Sequence, residues 1–205
     1  MKLLKDENKL RVPVNSKIYT TAEVDYIGGI LKRELSYKKG FGLSANQLGM
    51  DERICIIDTG DTPMILVNPK IVDRSKKTVM YLEQCLSIEK SMKKPVKTIR
   101  HESITVECDN LGTIVFSPDN KDGWEDSHKF WDDKGLLECV CAQHEIDHLD
   151  GKLITDVDRR YLETVTTPKK PGRNERVMIK MPDGNTEFMK YKKAIPLLQI
   201  GCEII

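Results

Sequence analysis

Apolar residues recur at Val24, Ile27, Leu31 and Leu35, the three-and-four spacing that lines one face of an α-helix. Thr20 and Glu23 stand ahead of them in a capping-box relation. The pattern predicts a helix over 21–38, weakened by roughly 1 kcal/mol at each residue of the Gly28-Gly29 pair. Short β-type runs follow: "RICIID", "MILVNP", and the pair "SITVEC" and "GTIVF" joined by "DNLG" as a hairpin. Residues 117–134 break that pattern with turn formers and acids and predict a long loop or insertion. A second helix is predicted to open near Asp132 or Asp133, run through "LLECVCAQHEIDHL" and stop near Gly151. "TTPKKPGRN" reads as a linker into "RVMIKM" and "TEFMKYK", whose alternation around "PDGN" predicts a terminal hairpin. Strands dominate without βαβ alternation, so the fold class is α+β.

Composition narrows the function classes. The 205 residues are 39% hydrophobic and 32% charged, which describes a soluble globular protein with one real core and room for an appendage. Lys and Arg number 33 against 32 acids, so net charge supports no global polyanion-binding role. No apolar run follows "MKLLKDENKL" and no stretch approaches membrane-spanning length, so neither a signal peptide nor a membrane partner is expected. Six cysteines in such a chain are expected as reduced thiols, and the expected compartment is the cytoplasm.

The chemistry concentrates in "QHEIDHLDG". His144 and His148 are four apart, so both imidazoles project from one helix face and can grip one metal ion. Glu145 beside them can take a proton from water. Chance would produce HExxH in this composition roughly once in two hundred shufflings. A plain exposed helix is the competing reading, but Leu137 and Val140 continue the histidine face into the core. A catalytic metal usually keeps three protein ligands. The third histidine of HExxHxxGxxH would fall at Ile154, which excludes that pattern; Glu163 has no local support. A thiolate or carboxylate from elsewhere remains open. Cys85 in "YLEQCLSIE" sits in a short strand-like segment between polar residues, unlike Cys55 in "ICII".

"GFGLSANQ" (40–47) fits G-x-G-x-x-A, the pattern of a dinucleotide loop. Such a loop must follow a strand and open a helix. Here it follows a predicted helix and enters the strand "RICIID", so the helix dipole that would hold a phosphate is missing.

"GFGLSANQ", "EQCLS" and "QHEIDH", in this order, resemble the three signatures of the peptide deformylases, GxGLAAxQ, EGCLS and QHExDH, with a likeness spanning about residues 20–160. The resemblance implies a domain over 1–165, with mostly antiparallel strands around a central metal-binding helix, and a C-terminal extension over 166–205. It implies that Cys85, His144 and His148 bind one divalent metal, Fe²⁺ in the cell, with Zn²⁺, Ni²⁺ or Co²⁺ as substitutes. Glu145 would be the acid–base residue, with the Gln47 amide and the Leu86 backbone N–H on the oxyanion. Phe41, Leu137 and Val140 would line a methionine pocket, and the Gly42 carbonyl would accept the formamide N–H. The implied activity is hydrolysis of the N-formyl group of N-formylmethionyl peptides, releasing formate. Another HExxH peptidase or amidase, or a catalytically silent homologue that binds metal or peptide, are the alternatives.

The chain departs from the signatures at Ser44, Asn46 and Gln84. Gln84 replaces glycine, so it is expected either to strain the backbone, if φ must be positive there, or to narrow the peptide groove. The 117–134 segment carries Trp124, Phe130 and Trp131; it reads as a surface loop pinned by its aromatics, or as a lid. Residues 166–193 hold eight Lys or Arg against three acids. That excess reads as a solvated face, with weak ribosome contact as the alternative and no specific nucleic acid expected.

Overall fold

The computed structural model describes residues 1–60, 62–119, 133–157, 174, 176–181, 184–198 and 203–204. The chain divides into two compact units, Met1–Tyr161 and Leu162–Ile205.

In the first unit a short helix, α1 (Glu7–Leu10), precedes α2 (Thr21–Lys38). The predicted capping box forms: the Thr20 side chain accepts from the Glu23 N–H while Glu23 accepts from the Thr20 N–H. Strands β1 (Gly42–Ser44), β2 (Ile54–Ile57) and β3 (Met64–Val67) make one antiparallel sheet in that order, with a 3₁₀ turn at Ala45–Leu48 after β1. β4 (Lys70–Arg74) pairs with β7 (Ile104–Cys108), which pairs with β8 (Gly112–Phe116). β5 (Thr78–Glu83) and β6 (Val96–His101) form a two-stranded sheet flanking a five-residue helix, α3 (Glu89–Lys93). Every pair among the described strands is antiparallel.

The last helix of this unit, α4 (Lys134–Leu149), is central. Asp133 caps it, its side chain accepting from the Leu136 N–H at 2.8 Å. Its Cys139, Ala142, Ile146 and Leu149 pack with Cys55 and Ile57 of β2 on one side and with Ile104, Val106 and Phe116 of β7 and β8 on the other. Leu136 and Val140 meet Val79 and Tyr81 of β5. The opposite face of β2, Ile54 and Ile56, packs under Ile27, Leu31 and Leu35 of α2. All four residues of "ICII" are therefore buried, because a helix covers each face of their sheet. Each such side chain contributes about 1.5–3 kcal/mol by leaving water.

Two expectations change. The strand reading of the "YLEQCLSIE" stretch stops at Glu83; Cys85 begins the turn beyond it, where Ile88 N–H donates to the Cys85 carbonyl at 3.1 Å. Gln84 has no positive φ, so its side chain causes no backbone strain. Of the 117–134 segment, residues 120–132, with both tryptophans, lie outside the described residues. Its ends meet: the Asp119 N–H donates to Asp133 at 3.0 Å, and the Gly135 N–H to Asp119 at 3.0 Å. A Cβ on Gly135 would stand 2.3 Å from the Ser117 carbonyl oxygen.

The second unit contains β9 (Arg176–Lys180), β10 (Thr186–Lys190), α5 (Tyr191–Leu198) and β11 (Glu203–Ile204), with strand order β10-β9-β11. Val177 and Ile179 pack with Ala194 and Leu197 of the helix. Among the described residues, no helix is long and apolar enough to cross a membrane.

Candidate metal centre

Two elements converge at one point. Helix α4 presents His144 and His148 one turn apart, with ring centroids 4.9 Å apart, and the turn after β5 brings Cys85 against them. One ligand atom from each of the three lies within 4.8 Å of the others, and all three residues are buried. Cys85 Sγ is 3.2 Å from His148 Nε2. A tetrahedral ion with bonds of ~2.0–2.3 Å spaces its ligand atoms by ~3.3–3.8 Å, so this spacing suits one shared cation.

The surroundings favour positive charge there. His144 Nδ1 donates to Glu83 Oε2 at 2.7 Å, which leaves Nε2 for the site. Burial disfavours a charged His144, but hydrogen bonds to Cys85 and Glu83 outweigh it and hold its pKa well above the ordinary value. Burial and the neighbouring His144 push His148 well below its ordinary value, so it stays a neutral imidazole, the form that ligates.

Glu83 is itself fixed. It accepts from Arg100 Nε at 2.6 Å and Nη2 at 3.0 Å, and from the Thr98 hydroxyl. Arg100 also pairs with Asp147 on α4. Burial alone would raise the Glu83 carboxyl; the Arg100 guanidinium and the His144 hydrogen bond reverse that and hold it below the usual carboxylate range. This buried chain ties β5, β6 and α4 together, and removing one member of such a pair costs about 3–5 kcal/mol. None of Glu83, Thr98, Arg100 or Asp147 was singled out from sequence. Glu83 and Asp147 lie inside the quoted motifs, so adjacency was an available signal; Arg100 offered none.

Glu145 lies within the cavity, buried, with Oε2 lacking a hydrogen-bond partner among the described residues. Burial pushes its carboxyl up to about 7, against the pull of His144; a bound dication would pull further toward the ionised form. Gln47 is aimed by its neighbours. Its Oε1 accepts from the Ser44 N–H and from the Ser44 hydroxyl, each at 3.0 Å, which turns Nε2 toward Ser87 Oγ at 3.1 Å and Cys85 Sγ at 3.7 Å. Asn46 donates to the His148 carbonyl at 2.6 Å and so braces the end of the metal-site helix. Ser44 and Asn46, both departures from the signature, thus make specific contacts at the site.

Gln47, Glu83, His144 and Glu145 line a cavity of about 280 Å³, close to the lower end of small-ligand pockets (~300–1,000 Å³); Cys85 and His148 lie behind them rather than in its lining. Leu137 and Val140 line the cavity, with Leu86, whose carbonyl accepts from Lys5 Nζ at 2.7 Å. Phe41 also lines it but is 56% exposed, so it stands at the rim. Gln84 reaches across to donate to the Met92 carbonyl at 3.0 Å, fastening α3 beside the mouth. Gly42 lies so close to the centre that a Cβ there would be 2.5 Å from Cys141 Sγ and 2.6 Å from Glu145 Oε1. Only glycine lets the chain approach this closely.

Residues 7–161 match the family model for polypeptide deformylases. The chain is 37% identical over 136 residues to a peptide deformylase of Dictyoglomus thermophilum, a match covering 66% of this chain and 76% of that one. It is 28% identical over 168 residues to a peptide deformylase of Acinetobacter baumannii, covering 78% and 86%. Its fold is similar to that of peptide deformylase 1B from Arabidopsis thaliana, solved in complex with an inhibitor, with a TM-score of 0.63 at 22% identity over 80% of this chain and 86% of that one.

Proposed function

The chain belongs to the polypeptide deformylase family, and from that premise we propose that Cys85, His144 and His148 hold one divalent cation while Glu145 moves the proton. The reaction is hydrolysis of the formyl–nitrogen bond of N-formylmethionyl peptides, yielding formate and a free amino terminus. The observation that carries this reading is the convergence of one buried thiol and two buried imidazoles from distant segments beside a buried carboxylate oxygen that has no hydrogen-bond partner among the described residues.

A cation held by Cys85, His144 and His148 would supply Lewis-acid chemistry at the formyl oxygen and the attacking water. Glu145 accepts the proton of the attacking water and passes it to the amine as the carbon–nitrogen bond breaks. The Gln47 amide, held in one orientation by Ser44, donates to the oxygen that gains charge, together with the Leu86 N–H. Each such donor typically lowers the barrier by about 3–4 kcal/mol. The Gly42 carbonyl accepts the formamide N–H and so orients the bond. Leu137 and Val140 take the methionine side chain, Phe41 covers the mouth, and Gln84 holds α3 as its wall.

Sulfur with two imidazoles accepts Fe²⁺, Zn²⁺, Co²⁺ or Ni²⁺; we infer Fe²⁺ in the cell, with Zn²⁺ replacing it after oxidation. We further infer action in the cytoplasm on newly made chains, with weak ribosome contact through the basic C-terminal segment. The test is formate release from formyl-Met peptides by protein purified without oxygen, in Fe²⁺ and Zn²⁺ forms. Turnover is expected in the Fe²⁺ form and only on formylated peptides. Equal cleavage of unformylated peptides would assign a general peptidase, and no formate in any metal form would assign a silent homologue.

Gly42→Ala is expected to lower turnover about tenfold while the protein stays folded. Its methyl group displaces the Glu145 carboxylate, and sub-ångström misplacement at a reacting centre is costly. Unchanged turnover, with the thermal midpoint measured alongside, would remove Gly42 from the site.

A further inference from the structure

The cavity opens to solvent between two stretches of chain. Lys39 and Phe41 come from the first, Leu82, Gln84 and Met92 from the second, and all five are exposed. Charge at this opening has one sign. Lys39 forms no salt bridge with a described residue, whereas its neighbour Lys38 pairs with Glu34 at 2.7 Å. On the other side Gln84 holds α3 by donating to the Met92 carbonyl at 3.0 Å. Lys90 and Lys93 of that helix and Lys94 after it are exposed and pair with no described acid. The one acid of α3, Glu89, stands 4.0 Å from Lys5. The acids in the lining, Glu83 and Glu145, are buried, and Glu83 is engaged by Arg100 and His144. Lys39 is also held at a cost. It ends α2 with φ 55° and ψ 40°, the left-handed region where glycine or asparagine usually closes a helix. A residue with a Cβ is disfavoured there, yet this chain places a long cation on it.

We propose that Lys39 is a specificity-determining residue that selects formylated peptides carrying an acidic side chain at their third or fourth residue. The inference rests on the hydrolytic reading above and names the substrate class of that site. Lys39 is three residues from Gly42, so at most about 10 Å of backbone separates it from the carbonyl that accepts the formamide N–H. An extended peptide advances ~3.4 Å per residue from the same point, which brings its third and fourth residues level with Lys39. A carboxylate there meets the Lys39 ammonium. A lysine there meets a like charge, with the lysines of α3 behind it. Attraction at an exposed rim acts on encounter and binding rather than on the reacting bond, so it shows in KM.

The experiment compares formate release from formyl-Met-Ala-Asp-Ala and formyl-Met-Ala-Lys-Ala, both amidated so that no terminal carboxylate competes. Formyl-Met-Ala-Ala-Ala amide is the neutral reference. At ~0.01 M salt the unaltered enzyme is expected to favour the Asp peptide about tenfold in kcat/KM, with the difference in KM. At ~1 M salt, where the screening length falls to about 3 Å, the ratio should shrink to about twofold or less. Lys39→Glu should reverse the order of the two peptides. Lys39→Gly should cut the ratio at least about threefold while its thermal midpoint stays at or above that of the unaltered protein, because glycine suits the left-handed backbone. A purely structural role for Lys39 would not move the peptide ratio. Equal kcat/KM for the Asp and Lys peptides at low salt would overturn the proposal, as would a Lys39→Glu protein that keeps the original order. Formate released from all three peptides at equal rates would end this inference and leave the hydrolytic reading standing; no formate from any of them would end both.

Discussion

Glu145→Gln is expected to lower formate release at least ~10²-fold while metal content stays at the level of the unaltered protein. Glutamine keeps the shape and volume of glutamate, so a buried side chain packed beside Gly42 and Cys141 is replaced without a cavity. What it loses is the ability to accept a proton, and general acid–base residues contribute typically 10²–10⁴-fold. Glu145 is outside the Cys85–His144–His148 donor group, so the cation should remain. Mass spectrometry for metal and a formate assay on the same sample separate the two quantities. Turnover within tenfold of the unaltered protein would leave the proton without this carrier, and loss of the metal would make Glu145 a ligand.

Cys85→Ala is expected to lose both metal and turnover. Structural zinc sites bind with an apparent ~10–16 kcal/mol shared among four ligands. One ligand's share, about 3 kcal/mol, corresponds to 10²–10³-fold in affinity. Cys85 also packs among Leu10, Ile88, Leu153 and Ile154, so alanine leaves a small void there. Cys85→Ser fills that void with nearly the same volume but with a weaker donor for these metals, and should lose metal as well. Full occupancy and turnover in Cys85→Ala would end the proposed ligand set.

The parts of the fold that were legible share a physical property: their buried positions are apolar. The helices over 21–38 and 134–149 carry capping residues and an apolar face, and β2 and β3 are unbroken apolar runs. Strand β6 was not legible for the opposite reason. On β6 the inward positions are Thr98 and Arg100, 0% and 3% exposed, which serve Glu83 rather than a hydrophobic core. A strand whose inner face is polar reads as a loop. Helix α5 was missed because Pro196, which its final turns accommodate, reads as a breaker.

The site divides the same way. Cys85, His144, His148 and Glu145 are set by short spacings within one helix and one motif. The support behind His144 runs from β5 to β6 and back to α4, pairing residues 17 and 47 apart in the chain, and no local spacing encodes such a contact. In the sequence Ser44 stands out only as a departure from the signature, yet its hydroxyl fixes which end of Gln47 faces the centre.

The clasp between Asp119 and Asp133 bears on how this protein can change length. Both ends of the intervening segment are hydrogen-bonded where α4 begins, so the helix start is defined without reference to what lies between them. Closing a longer connection costs only about 0.6 kcal/mol per doubling. Foreign cargo spliced between those two aspartates would travel as a passenger, leaving the start of α4 undisturbed.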